Sequence, residues 1–239
     1  MSTAVLVHGA WHGGWCWRRV AQILTQRGWT VFTPTLTGVG DRAHLASPLV
    51  GLDTHVDDVT RLIDAEELDD IVLCGHSAAG QVVTGVADRI PDRIAHLVYL
   101  DAIVPENNQS LIDVVGDAEG LPEAFRTGAA HFGAGWLIPP TLFTAEGFGV
   151  TDPDDAAWVT RRLTPYPIRG FTDRIQLTGG ITQVKRQTFA RCTGFPVSAI
   201  DTLYEAFAAA PDKQAVRWEI GHDAMITHPQ LVAELLTTR

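Results

Sequence analysis

Ile71-Val72-Leu73-Cys74-Gly75-His76-Ser77-Ala78-Ala79-Gly80-Gln81-Val82-Val83 is the stretch that decides the fold. An unbroken apolar run meets a knot of small residues with one serine at its centre, and an amphipathic segment follows. A strand that stops in a sharp turn and restarts as a helix needs this composition. The central residue of such a turn takes a strained backbone conformation, and the residues two before and two after must be small or their side chains collide. Gly75 and Ala79 hold those places, so the pattern reads G-x-S-x-A, with alanine where glycine is usual. The Ser77 hydroxyl then stands out at the sheet edge, over the positive end of the new helix. The same residues could form a strand–turn–helix connection whose serine is incidental, and the rest of the chain decides between the two.

Upstream, Ala4-Val5-Leu6-Val7 is a short apolar run, as a strand buried on both faces of a parallel sheet reads. A glycine-rich loop, His8-Gly9-Ala10-Trp11-His12-Gly13-Gly14, comes next. Val20, Ile23 and Leu24 recur at helical spacing over residues 17–27, with Gly28 as the C-cap. Residues 30–34 read as a second strand closed by Pro34, residues 35–48 as a loop, and residues 53–65 as a helix with Val56, Val59, Leu62 and Ile63 on one face. After Ser77 a helix runs to about Ile90, and Ile94–Leu100 is another buried strand with Asp101 at its end. This alternation predicts a parallel sheet with helices on both faces. In such sheets function gathers beyond the strand C-termini, which places three loops at one edge: residues 8–14, 75–80 and 101–105.

From Pro105 to Ile181 the pattern breaks. The stretch holds Phe125, Phe132, Trp136, Phe143, Phe148, Trp158 and Phe171, with helical segments at residues 110–115, 121–132 and 153–163. A long aromatic insertion between two strands reads as a cap over an active site. The expected organisation is therefore a core of residues 1–104 and 182–239 with a cap at 105–181. The alternation resumes with strands at residues 187–192 and 215–219, a helix at 197–209 and a last amphipathic helix at 229–237.

The chain has 239 residues, 46% of them hydrophobic and 19% charged, which suits a filled globular core. Its formal net charge of −10 argues against nucleic acid or an anionic membrane as a partner. The N-terminal apolar run is too short for a secretory segment and lacks a basic start, and no apolar stretch approaches the ~20 residues of a membrane span. Cys16, Cys74 and Cys192 are scattered and odd in number, and read as reduced core residues of a cytoplasmic protein.

A serine hydroxyl needs a base within hydrogen-bond reach, and the base needs a third group to fix its tautomer. Of nine histidines, His222 follows the last strand at the same sheet edge as Ser77, with Gly221 before it, and is the one expected as base. His76 adjoins the serine, but neighbouring side chains in a sharp turn point apart, and His228 precedes the last helix. An oxyanion needs two backbone N–H donors. Ala78, at the start of the helix after Ser77, and Ala10, in the first loop, are expected to supply them. His8 and His12 lie four apart with no acidic partner in view, so no metal is expected.

At these residues the chain resembles the α/β-hydrolase superfamily. Val5 to Trp17, Gly75-His76-Ser77 and Gly221-His222-Asp223-Ala224-Met225 are similar to the group of plant methyl esterases, hydroxynitrile lyases and bacterial EstC-type esterases. The resemblance implies Ser77 as nucleophile, His222 as base, the Ala10 and Ala78 N–H groups as oxyanion hole, and no cofactor. It also implies an aspartate in a Cys-Thr-x-Asp sequence after the strand at 187–192, but this chain reads Cys192-Thr193-Gly194-Phe195. The acid must lie elsewhere, in the chain order serine, acid, histidine. Asp101 ends a strand at the catalytic edge and is the choice. Asp201 falls inside the following helix, and Asp223 comes after His222.

The expected function is a serine hydrolase, a carboxylesterase acting on a small apolar or aromatic ester through an acyl-enzyme, working alone or as a homodimer. Two alternatives remain at this point. One is a lyase of the hydroxynitrile type, against which stand Gly9 where related lyases carry Thr or Asn and Asp223 where one subgroup carries Lys. The other is a hydrolase-like receptor for a small molecule.

Overall fold

The computed structural model describes residues 2–117 and 120–238. In chain order the first half holds β1 (Thr3–Val7), α1 (Arg18–Gln26), β2 (Thr30–Phe32), α2 (Leu52–Ala65), β3 (Ile71–His76), α3 (Ala79–Arg89) and β4 (Ile94–Leu100). Then come α4 (Leu111–Val115), α5 (Leu121–Phe132), β5 (Leu137–Ile138), α6 (Pro153–Thr160), β6 (Tyr166–Pro167) and α7 (Arg169–Thr172). The chain closes with β7 (Gln187–Cys192), α8 (Ser198–Ala209), β8 (Gln214–Trp218), α9 (Ala224–Thr227) and α10 (Pro229–Thr237).

Successive strand side chains point to opposite faces, and here both faces are apolar. Val5, Val7, Leu73, Leu97, Tyr99 and Phe189 face one core, shared with Val59 of α2, Val83 of α3 and Phe207 of α8. Ala4, Leu6, Cys74, Val98, Leu100 and Ala190 face the other, shared with Val20 and Leu24 of α1 and Val232 and Leu236 of α10. Burial on both sides is why these strands read as continuous apolar runs and not as alternating ones. All three cysteines are buried and free.

The six strands lie in the order β2-β1-β3-β4-β7-β8, and every pair is parallel. From β1 the chain moves outward to β2 and then returns to β3 on the other side of β1. The order therefore reverses between β1 and β3, and a crevice opens beyond their C-termini, where ligands of such sheets bind.

Residues 105–181 leave the sheet. Their last part is tied to α3 by Asp88, whose carboxylate accepts from Thr178 N at 2.6 Å, Thr178 Oγ1 at 2.9 Å, Gly179 N at 3.0 Å and Ile181 N at 3.1 Å. The small antiparallel pair β5–β6 escapes a sequence reading because each strand is two residues long. The helix expected over 153–163 stops at Thr160, in keeping with Pro165, whose ring disfavours helical backbone before it. The short helix α9, directly after His222 and Asp223, was not expected; Ile226 N and Thr227 N donate to the Asp223 carbonyl at its start.

Candidate active site

Ser77 sits at φ +54°, in the left-handed region that a side chain rarely occupies. Such strain costs on the order of 1–3 kcal/mol and persists only where neighbours enforce it. Here Ser77 N donates to Leu100 O at 3.1 Å, and Ser77 O accepts from Gly80 N and Ile103 N, both at 3.0 Å. The turn is packed tightly on each side. A Cβ on Gly75 would fall 2.6 Å from Val83 Cγ2, and one on Gly80 would collide with the Ile103 carbonyl. The need for glycine after the serine therefore falls on Gly80, and Ala79 fits its place as a buried residue.

The β1 loop meets this turn at Gly9. A Cβ there would lie 2.7 Å from Ser77 Cβ, so only glycine allows the approach. His8 fixes the next peptide. Its Nδ1–H donates to Gly9 O at 2.8 Å, and its Nε2 accepts from Leu36 N at 3.1 Å. The peptide is trans, so holding the Gly9 carbonyl on one side aims the Ala10 N–H to the other. Burial drives the His8 imidazole down to about 3, neutral as this donor–acceptor arrangement requires. Trp11 follows at φ +63°.

His222 comes off β8 through Gly221, which packs so closely on Gly149 that a Cβ would lie 2.6 Å from the Gly149 Cα. The His222 Nδ1–H donates to Asp101 Oδ2 at 2.6 Å. That bond fixes the tautomer and leaves Nε2 as the nitrogen able to accept a proton. Asp101 is fully buried and, like Ser77, adopts a positive φ, +46°. Its other oxygen accepts from Arg191 Nη1 and from Cys192 N, each at 2.9 Å. Arg191 is in turn held by Asp201 through Nε at 2.8 Å and Nη2 at 3.1 Å. The hydrogen bond from Arg191 holds the Asp201 carboxyl below its usual range. Asp201 thus backs the arginine and does not reach the histidine.

Ala10, Ser77, Ala78 and His222 line one cavity of about 50 Å³, lined otherwise by apolar side chains that include Phe125, Phe143 and Phe171. Ser77 and His222 are its polar side chains. Trp11 joins sheet and insertion. Its ring packs on Phe125, Phe143, Phe148, Tyr166 and Phe171, and its Nε1–H donates to Ile138 O at 3.1 Å. Phe195, in the place where the family pattern carries its acid, stacks on the His222 ring.

The structure therefore brings Ser77, His222, Asp101, Ala10 and Ala78 to one sheet edge. Sequence reasoning missed Arg191, Phe195 as a partner of His222, and Trp11 as a hub. A cation next to Cys192 in a buried strand was the available signal for the first of these. His55 donates to Thr37 O, His96 pairs with Thr188 Oγ1, and exposed His228 pairs with Thr227 Oγ1, all away from the cavity.

The family model described as "Alpha/beta hydrolase family" matches residues 4–235. The chain is 42% identical to a carbendazim hydrolyzing esterase of Nocardioides sp. (strain SG-4G), over 99% of this chain and 98% of that protein. It is 29% identical to a pheophorbidase of Raphanus sativus, over 69% of this chain and 65% of that protein. Among solved structures, an extracellular α/β-hydrolase from a Paenibacillus species, described as sharing structural and functional homology with tobacco salicylic acid binding protein 2, superposes with a TM-score of 0.82. It is 23% identical, covering 99% of this chain and 98% of that one.

Proposed function

The chain belongs to the alpha/beta hydrolase family and is an ester hydrolase, and from that premise we propose that it is a serine carboxylesterase working through an acyl-enzyme on Ser77. The observation that carries this reading is the 2.6 Å bond from His222 Nδ1 to Asp101, made beside the cavity that Ser77 lines. His222 Nε2 takes the Ser77 proton as Oγ attacks the ester carbonyl. The Ala10 and Ala78 N–H groups hold the developing oxyanion, the latter at the N-terminus of α3. His222 then protonates the leaving alcohol and activates water for deacylation. No metal or organic cofactor enters any of these steps.

Residues 105–181 act as the cap. The cavity beneath them, beside Ser77, is small, about 50 Å³. Its aromatic lining suits a small uncharged ester, apolar or aromatic in its acyl or alcohol part. The lyase alternative lacks its usual polar side chain after His8, because residue 9 is glycine with no room for a Cβ.

The test is labelling with a fluorophosphonate probe, followed by assay on short p-nitrophenyl esters, on carbendazim and on mandelonitrile. Labelling at Ser77 with ester turnover supports the reading. An unlabelled Ser77 with no ester turnover sinks it, and turnover of mandelonitrile alone moves the chain to the lyases.

A further inference from the structure

A second imidazole–carboxylate pair lies behind the first. His12 is two residues past Ala10, and Asp223 directly follows His222. Their side chains are 2% and 0% exposed, and His12 Nε2 stands 3.1 Å from Asp223 Oδ2. Neither residue lines the cavity, and none of the chemistry proposed above uses them. His12 Nδ1 faces the Ala10 carbonyl at 2.8 Å. A carbonyl only accepts, so Nδ1 carries a proton. Nε2 faces a carboxylate, so a second proton lies between the two side chains. Burial alone would depress the His12 imidazole, but the charge and hydrogen bond of Asp223, with the Ala10 carbonyl, outweigh it and raise it.

Stability is a poor reason for such a pair, since a buried ion pair gains little over apolar packing. Geometry offers a better one. In the strand order β2-β1-β3-β4-β7-β8, β1 and β8 are four places apart, about 19 Å at the usual strand spacing. No backbone ladder joins the loop that carries Ala10 to the loop that carries His222. The His12–Asp223 bond joins them directly. His76 completes the connection from the third loop, the one with Ser77. Its Nε2–H donates to His222 O at 3.1 Å, it lies 3.9 Å from Asp223 Oδ1, and its ring centroid is 4.4 Å from that of His222. The three loops at the sheet edge thus meet through three side chains, each within two positions of a residue assigned to the chemistry.

We propose that His12 and Asp223 form a positioning pair that latches the oxyanion loop to the base loop, setting the Ala10 N–H and the His222 ring in register for the transition state. The proposal rests on the esterase reading of the same site. Neither side chain touches substrate, so ground-state binding is unaffected. An N–H donor displaced by a few tenths of an ångström stabilises the oxyanion poorly, so the loss falls on kcat.

The experiment compares Asp223→Ala, Asp223→Asn, His12→Ala and the His12→Ala/Asp223→Ala double variant, with thermal melting to confirm folding. On p-nitrophenyl acetate, Asp223→Ala and His12→Ala each lower kcat about 30- to 100-fold with KM within about twofold. The double variant is no slower than the slower single, because one link has been cut once or twice. Asp223→Asn recovers to within about fivefold of the parent, since its amide can donate to a neutral His12 Nε2. A phenylboronic acid, which mimics the tetrahedral intermediate, loses affinity in step with kcat/KM, as a purely structural role would not produce. Single effects that multiply in the double variant, a rise in KM at constant kcat, or undiminished boronate affinity would each overturn the proposal. Should Asp223→Ala not fold, His12→Asn replaces it. Asparagine can keep the Ala10 contact but does not reach residue 223, so parental kcat in that variant overturns the latch and a 30-fold loss upholds it. Failure of the esterase reading is distinguishable, because the parent itself would then turn over no ester.

Discussion

Phe195 stacks on the His222 imidazole, with ring centroids 4.1 Å apart and planes 26° from parallel. Phe148 lies against the same imidazole at 5.8 Å and 29°. The position where the resemblance implies an acid is here part of an aromatic wall around His222. An aromatic face attracts a cation, and in the proposed mechanism this one lies against the ring that would become an imidazolium.

Replacing Phe195 by leucine keeps an apolar side chain and removes the aromatic face. We expect kcat on p-nitrophenyl acetate to fall at least about fivefold, the equivalent of roughly 1 kcal/mol, the lower part of the range for a cation on an aromatic face. Replacing it by tyrosine should leave kcat within about twofold. Equal rates for parent and Phe195→Leu would show that the stacking is packing only. Because residue 195 meets the face of the ring and not Nδ1, Phe195→Asp should also fail to rescue Asp101→Asn.

The Asp101 carboxylate makes one bond to His222 and two to groups that hold it in place. Asp101→Asn offers His222 a different donor pattern and favours the wrong tautomer, so kcat should drop by about 10³–10⁴. Asp201→Asn, one residue further from the chemistry, should cost less than about tenfold. Arg191→Met leaves Asp101 buried with its cation gone, and should lower stability by about 3–5 kcal/mol in urea denaturation. A large kcat loss on Asp201→Asn with little on Asp101→Asn would reverse the assignment of the two aspartates.

Several buried histidines make the fold sensitive to acid. Burial depresses His8 to about 3 and His96 to about 4, and it also lowers His55 and, further, His76. A histidine depressed in the folded state adds stability that is present above its unfolded value near 6.5 and is lost as pH falls through the folded value. Each such group gives a slope of up to about 1.4 kcal/mol per pH unit in that window. His12 is raised, so its contribution runs the other way and is lost as pH rises through its folded value. The depressed set is larger, and the urea midpoint should fall steadily from pH 6.5 to 4. His96→Gln, remote from the cavity, should reduce that slope between 6.5 and 4. A midpoint flat over this range would contradict the buried neutral state of these rings.

The fold was readable because its central strands are buried on both faces. Ile94–Leu100 announces itself as a largely apolar run, and the strand expected at Gln187–Cys192 keeps its bounds although Gln187, Thr188 and Arg191 interrupt its apolar character. Helix α2 shows its inner face in Val56, Val59 and Ile63. Two-residue strands such as Leu137–Ile138 carry no periodicity to detect. At the site, the resemblance implies the order serine, acid, histidine, and Asp101 is the choice within it because it ends a strand at the catalytic edge, with Asp201 the main competitor. What stayed hidden were contacts between residues far apart in sequence. Nothing near Asp223 reveals His12, 211 positions away, and nothing near Arg191 reveals Asp101, 90 positions away. Trp11 reads as one more aromatic in a loop until its five ring neighbours are seen.

Phe125 gives the sharpest handle on what the cavity accepts. It is 4% exposed, its ring sits 4.8 Å from Phe171 and 6.2 Å from Trp11, and it lines the cavity with Ser77. Phe125→Ala removes a full ring from a cavity of about 50 Å³. The lost packing should destabilise the fold by about 3–5 kcal/mol. The space created should admit methylenes that the parent excludes, each contributing up to about 0.8 kcal/mol when buried. The ratio of kcat/KM for p-nitrophenyl hexanoate over acetate should therefore rise at least about tenfold in the variant. An unchanged ratio in a folded Phe125→Ala protein would place the acyl chain elsewhere, and would leave Phe125 a role in holding residues 105–181 to Trp11 alone.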